Sequence, residues 1–159
     1  MFVAIFGTSN VLVVDYSNII LILFIDIFIG NMFFNLTVKA DWRLILGICL
    51  GHQALALHFG AKISQLSGCF HGADHMLTKT NFAAQIFQEV PEKFVAGRYH
   101  SWTVAADSLP ESLLPTAFDE YGNLMAFRHK ELPIDALQFH PESYITKFGQ
   151  RMISNWLMS

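Results

Sequence analysis

No proline precedes Pro91 and no lysine, arginine or histidine precedes Lys39 in this chain of 159 residues. Cysteine is scarce too: Cys49 and Cys69 sit in different kinds of segment and make no disulfide framework, so a reducing cytoplasm is the expected compartment. There is no basic surplus. A net charge of −3 gives no electrostatic reason to expect nucleic acid or an anionic membrane as partner. The absence of positive charge before the apolar run argues against a secretory leader, which wants a basic stretch there.

That run, Ile19 to Phe34, is rich in Ile and Phe. A membrane span needs about 20 apolar residues, and Asp26 and Gly30-Asn31 interrupt this one. Buried strands of a parallel sheet also read as continuous apolar stretches, and this reading is preferred. Asn10 to Ser17 reads as a first strand ending in a polar loop. The whole of 1–159 is expected to form one domain, its first 42 residues atypical.

What stands out is Gly47-Ile48-Cys49-Leu50-Gly51-His52-Gln53. Arg43 to Leu46 before it reads as a buried strand, and Ala54 to Phe59 after it as helix closed by Gly60. A cysteine at such a corner lies at a helix N-terminus, where unpaired N–H groups and the helix dipole favour the thiolate. The glycines permit a strained turn and close approach of a ligand. From this segment alone, a nucleophile and a tightly packed structural thiol are equally good readings.

A second segment, Ala136-Leu137-Gln138-Phe139-His140-Pro141-Glu142-Ser143, alters the balance. Pro141 disfavours helix at His140, and in an extended chain positions i and i+2 project to one side. Glu142 would then accept from one imidazole nitrogen while the other faces a nucleophile, the base and orienter of a Cys-His-Glu triad. The plainer reading is a surface turn with a solvated glutamate.

Taken with Arg98-Tyr99-His100-Ser101-Trp102 and Met125-Ala126-Phe127-Arg128-His129-Lys130, these pieces resemble the class I, triad-type glutamine amidotransferase domain over residues 43–158. Within it they look most like the glutaminase subunit of anthranilate synthase, and nearly as much like that of aminodeoxychorismate synthase. The resemblance implies an α/β fold, a three-layer sandwich with a mostly parallel central sheet, here shortened at the N-terminus. It implies Cys49, His140 and Glu142 as catalytic residues, and Leu50, Gln53, Ser101 and Trp102 as contacts of glutamine. It also implies that the partner is a synthase large subunit, with chorismate as the acceptor of ammonia. No metal or organic cofactor is implied on this component.

The chain departs from the family in its first third. The interval from Asp15 to Cys49 holds no Pro-Gly loop, and in the family that loop gives one backbone donor of the oxyanion hole. Leu50 matches the other donor; Gly30-Asn31 is the available substitute for the first. A docking subunit with weakened or lost activity is therefore a rival reading, and a membrane-anchored protein using residues 11–34 is another.

Elsewhere, Lys62 to Ser67 reads as strand, Gly68 to His75 as loop, and Ala117 to Phe127 as a hairpin turning at Gly122-Asn123. Ile134 to Phe139 reads as a buried strand. Thr146 to Leu157 reads as a helix burying Phe148, Met152, Ile153, Trp156 and Leu157. His71-Gly72-Ala73-Asp74-His75 has the raw material of a metal site, but the glycine and the lack of a third strong ligand disfavour one. His52 is expected to point away from Cys49 as a packing or interface residue, and Cys69 to be an inert thiol.

Overall fold

The computed structural model describes residues 45–68, 71–82 and 85–159, together with the backbone of 15–16 and 19–20. The apolar run from Ile19 to Phe34 beyond Ile20, the proposed Gly30-Asn31 donor and Cys69 lie outside the described residues. In chain order the elements are β1 (Asp15–Tyr16), β2 (Ile19–Ile20), β3 (Ile45–Ile48), α1 (Leu50–His58), β4 (Ile63–Gln65) and β5 (Ala73–Lys79). Then follow β6 (Lys93–Arg98), β7 (Trp102–Val104), β8 (Leu113–Asp119), β9 (Leu124–His129), β10 (Ile134–Leu137) and α2 (Gly149–Leu157).

The central sheet has six strands in the order β3-β10-β9-β8-β5-β6. β3 and β10 are parallel and in register from Ile45↔Ile134 to Ile48↔Leu137. β10–β9, β9–β8, β8–β5 and β5–β6 are antiparallel. The α/β class holds, but a mostly parallel sheet does not describe these six strands: the sheet is mixed. Hairpins are the reason, because β8 and β9 join through a short turn at Gly122 (φ +81°) and so must run antiparallel. β1 pairs with β2 in a separate two-stranded sheet, and the rest of the first strand expected over Asn10 to Ser17 lies outside the described residues.

Alternation along β3 builds the two faces of the sheet. Ile45 joins Leu55 and Ala56 of α1, with Phe127, Ile134 and Ala136. Leu46 and Ile48 point the other way, into a cluster with Leu77, Phe94, Phe139 and, from α2, Met152 and Trp156. A helix thus covers each face, giving three layers from period-two patterning. Each fully buried aliphatic or aromatic side chain contributes about 1.5–3 kcal/mol.

Three boundaries differ from the sequence reading. The strand before the cysteine is Ile45–Ile48, reaching to the cysteine itself. The segment read as a loop to His75 becomes strand at Ala73, because β6 pairs with it from Ala73↔Arg98 onward, a partner the local sequence does not reveal. α2 starts at Gly149 rather than Thr146, since Ser143 to Gly149 is taken up by successive turns. Trp156 and Met152 are buried and Phe148 and Ile153 partly so, whereas Leu157 is exposed. No helix among the described residues is long and apolar enough to cross a membrane.

Gly149 fixes where α2 begins. A Cβ there would overlap the Pro141 carbonyl oxygen, a backbone atom that cannot swing aside. Gly149→Ala is therefore expected to lower unfolding stability by about 1–3 kcal/mol in denaturant titration. An unchanged midpoint would mean that α2 does not seat on the Pro141 turn.

Candidate functional site

The parallel ladder delivers two chain segments to one edge of the sheet. β3 ends at Ile48 beside Leu137 of β10, and the Cys49 N–H donates to the Leu137 carbonyl at 2.7 Å. Cys49 occupies φ 54°, ψ −103°, a region costly to any residue with a Cβ, on the order of 1–3 kcal/mol. The next residue, Leu50, opens α1. Gly47 makes the sharp return possible: a Cβ there would lie 2.6 Å from Leu55 Cδ1 and 2.8 Å from the Gly51 carbonyl oxygen. Cys49 is half-buried at the helix N-terminus, and the Leu50 N–H, as a first-turn donor, has no intrahelical acceptor.

From Leu137 the chain continues through Gln138 and Phe139 to His140, which bridges to Gly97 of β6 and donates its N–H to the Gly97 carbonyl at 3.1 Å. The chain then turns, with the Ser143 N–H donating to the His140 carbonyl at 3.2 Å. His140 and Glu142 meet across this turn, with Pro141 at its second position, rather than along the extended dipeptide expected from the sequence. Nδ1 of His140 lies 2.6 Å from Oε1 of Glu142. Cys49 is a second side-chain hydrogen-bond partner of the ring. Thiol, imidazole and carboxylate stand in series.

Burial alone would lower the His140 pKa. Hydrogen bonds to Cys49 and Glu142, and the negative charge of both, outweigh it and raise the pKa to about 9. The imidazole is thus held as a cation at neutral pH, with Cys49 and Glu142 as its partners. A cysteine and imidazole so paired can attack an electrophilic carbon and then supply a proton to the leaving group.

The other expected contacts lie on the two elements flanking this series. Gln53 is one turn beyond Cys49 on α1, its N–H donating to the Cys49 carbonyl at 3.2 Å. Its Nε2 donates to the Trp102 carbonyl at 2.8 Å and to Gln138 Oε1 at 3.0 Å. Ser101 and the Trp102 side chain are partly exposed, and the Ser101 carbonyl accepts from Leu66 N–H at 2.8 Å. His52 is fully buried against Phe127, ring centroids 4.7 Å apart, so it packs and presents no interface. Burial, and then the charge of His100, push its pKa down to about 3. Among the described residues no group of three or more His, Cys, Asp or Glu is placed to hold a metal.

Two residues near His140 escape the sequence reading. Tyr99 stands edge-on to the His140 ring, centroids 5.1 Å apart, with its hydroxyl 3.2 Å from Ser143 Oγ. Thr146 donates its hydroxyl to the His140 carbonyl at 2.7 Å, and that hydroxyl accepts from Gly97 N–H at 3.0 Å. Tyr99 had a signal, its place beside His100; Thr146 had none, because turns bring it back to His140.

With the folded pKa raised above its unfolded value of 6.5, His140 adds stability that is fully present below about pH 6.5 and is lost as pH rises through about 9. Imidazole NMR should show a midpoint near 9 for this ring. Glu142→Gln is expected to move the midpoint down and to flatten the fall in stability between these pH values. A wild-type midpoint at the ordinary histidine value would show that the two acidic partners do not engage the ring.

The family model described as class-I glutamine amidotransferase matches residues 37–159. Anthranilate synthase component 2 of Mycobacterium tuberculosis is 43% identical over 113 residues, which is 71% of this chain and 48% of that protein. Aminodeoxychorismate synthase component 2 of Escherichia coli is 36% identical over 113 residues, 71% of this chain and 59% of that protein. The chain thus spans about half to three-fifths of the length of these relatives. Among solved structures, a protein described as one subunit of a GMP synthase from Thermoplasma acidophilum superposes with a TM-score of 0.68 at 30% identity, covering 74% of this chain and 57% of the other. A glutamine amidotransferase of Thermotoga maritima gives 0.54 at 25% identity, over 72% of this chain and 45% of the other. In sequence and in fold, this chain belongs to the class I glutamine amidotransferase family.

Proposed function

We propose that this chain is the glutaminase component of a chorismate-aminating synthase, and that the synthase is anthranilate synthase. The observation that carries the glutaminase reading is the Cys49–His140–Glu142 series at the strained end of β3, in a chain of this family. Cys49 Sγ, as thiolate, attacks the carboxamide carbon of glutamine, and the oxygen that becomes negative takes the Leu50 N–H. The C–N bond breaks as His140 gives its proton to the departing nitrogen, which leaves as ammonia. A γ-glutamyl thioester remains on Cys49. His140, now neutral, takes a proton from water; the hydroxyl attacks the thioester, glutamate leaves, and thiolate and imidazolium are restored. Glu142 holds the ring in place and stabilises its cationic form. Gln53, Ser101 and Trp102 bind the amino-acid end of glutamine.

Two relatives support the choice of synthase, one from Mycobacterium tuberculosis and one from Bacillus subtilis that matches over 113 residues. The Mycobacterium tuberculosis protein is an anthranilate synthase component at 43% identity, and the Bacillus subtilis protein, 39% identical, carries both names, aminodeoxychorismate/anthranilate synthase component 2. The folate-side reading is the runner-up, on the aminodeoxychorismate part of that double name and on the Escherichia coli relative. By the same reasoning the partner is a synthase large subunit, the chemistry needs no metal or organic cofactor on this chain, and the setting is cytoplasmic.

Mixing the chain with the large subunit of either synthase, then supplying glutamine and chorismate, distinguishes the readings. Anthranilate formation is expected with the first. Cys49→Ala is expected to cut glutamine-dependent product by at least about 10³-fold, while product made from added ammonia stays at the wild-type level. Glutamine-dependent aminodeoxychorismate alone would move the chain to folate synthesis. Binding to a large subunit without glutamine hydrolysis would make it a docking component.

A further inference from the structure

Behind the expected glutamine contacts runs a buried polar chain that the mechanism above does not use. Asp119, at the end of β8, accepts from the N–H groups of Tyr121 (3.0 Å) and Asn123 (2.8 Å) and from Asn123 Nδ2 (2.8 Å). Its Oδ2 also takes a 2.6 Å charged hydrogen bond from Arg98, and both side chains of this pair are wholly excluded from solvent. Arg98 Nε donates to His100 Nε2 at 3.1 Å. His100 Nδ1 lies 2.7 Å from the Trp102 carbonyl, the same oxygen that accepts from Gln53 Nε2.

The order of donors fixes the proton. Arg98 has only donors, so His100 Nε2 must be the acceptor, and the one proton of the neutral ring sits on Nδ1, aimed at the Trp102 carbonyl. Burial, followed by the charge of Arg98, pushes the His100 pKa down to about 4, so the ring stays neutral through physiological pH. The Trp102 oxygen then receives two donors, one for each lone pair. Gln53 commits both amide hydrogens to Trp102 and Gln138, and a flipped amide would set its carbonyl oxygen against that of Trp102.

We infer that His100 is a positioning residue for glutamine: held in its Nδ1–H form by the Arg98–Asp119 pair, it fixes the Trp102 carbonyl, which in turn orients the Gln53 amide with its oxygen as the acceptor left for the ligand. Gln53 in this state recognises a donor, so it suits an ammonium or carboxamide N–H of the ligand and repels a carboxylate. The inference rests on the glutaminase reading and adds to it a residue that touches no substrate.

The test compares His100→Leu, which removes the donor, with His100→Asn, whose side-chain amide nitrogen can stand where Nδ1 does. Saturation kinetics of Cys49 labelling are measured with the chloroketone analogue of glutamine, and iodoacetamide, which lacks the amino-acid end, serves as the comparison. For His100→Leu the half-saturating concentration of the chloroketone should rise about tenfold, with the maximal rate and the iodoacetamide rate within about threefold of wild type. His100→Asn should recover most of the affinity. Unchanged half-saturation in His100→Leu, a parallel fall in iodoacetamide labelling, or no recovery with asparagine would each overturn the positioning role while leaving the glutaminase reading intact. Absence of saturable labelling in the wild-type chain would remove both.

Discussion

Everything at the site depends on the parallel pairing of β3 with β10. Parallel strands in register end at the same edge of a sheet, and here they end at Ile48 and Leu137. Cys49 therefore follows one strand and the His140 segment the other, from neighbouring positions at the carboxyl ends, where open α/β sheets place their ligands. An antiparallel β3 would carry Cys49 to the opposite edge. The Cys49 N–H bonded to the Leu137 carbonyl closes the ladder one residue past the strands and locks the corner to it.

Two opposing electrostatic demands are met on the two sides of this edge. At His140, burial disfavours the cation, and the acidic partners more than compensate. At His52 and His100 burial wins, with His100 held beside Arg98 and His52 beside His100, so both rings are neutral. Depth thus decides the state of His52 and His100, and acidic partners decide that of His140. The buried Arg98–Asp119 pair is costly to desolvate, and its 2.6 Å contact in full burial offsets that cost. Removing either partner would strand a buried charge.

Close backbone approach at two glycines is the second condition. Gly47 lets α1 turn back onto the end of β3, and Gly149 lets α2 start against the Pro141 carbonyl, directly behind the His140 turn. Thr146 ties that turn to Gly97 through one hydroxyl, so the imidazole is supported from β6, from α2 and from its own turn. A strained Cys49 is tolerable because the surrounding contacts overdetermine it.

The sequence by itself determined the local settings of the candidate site residues. Cysteine between Gly47 and Gly51 spelled a strand-to-helix corner, Gly122-Asn123 spelled a hairpin, and His140 with Glu142 two residues on spelled a contact, all through interactions a few residues apart. The tertiary structure alone decided what depends on distant partners. It made the six strands a mixed sheet, turned Ala73–Lys79 into strand by pairing it with Lys93–Arg98, and started the last helix at Gly149 instead of Thr146. It also joined Asp119, Arg98, His100, Trp102 and Gln53 through hydrogen bonds. Local patterns encode local geometry, whereas sheet order and buried polar partners arise only when segments far apart in the chain compete to satisfy the same backbone and side-chain groups.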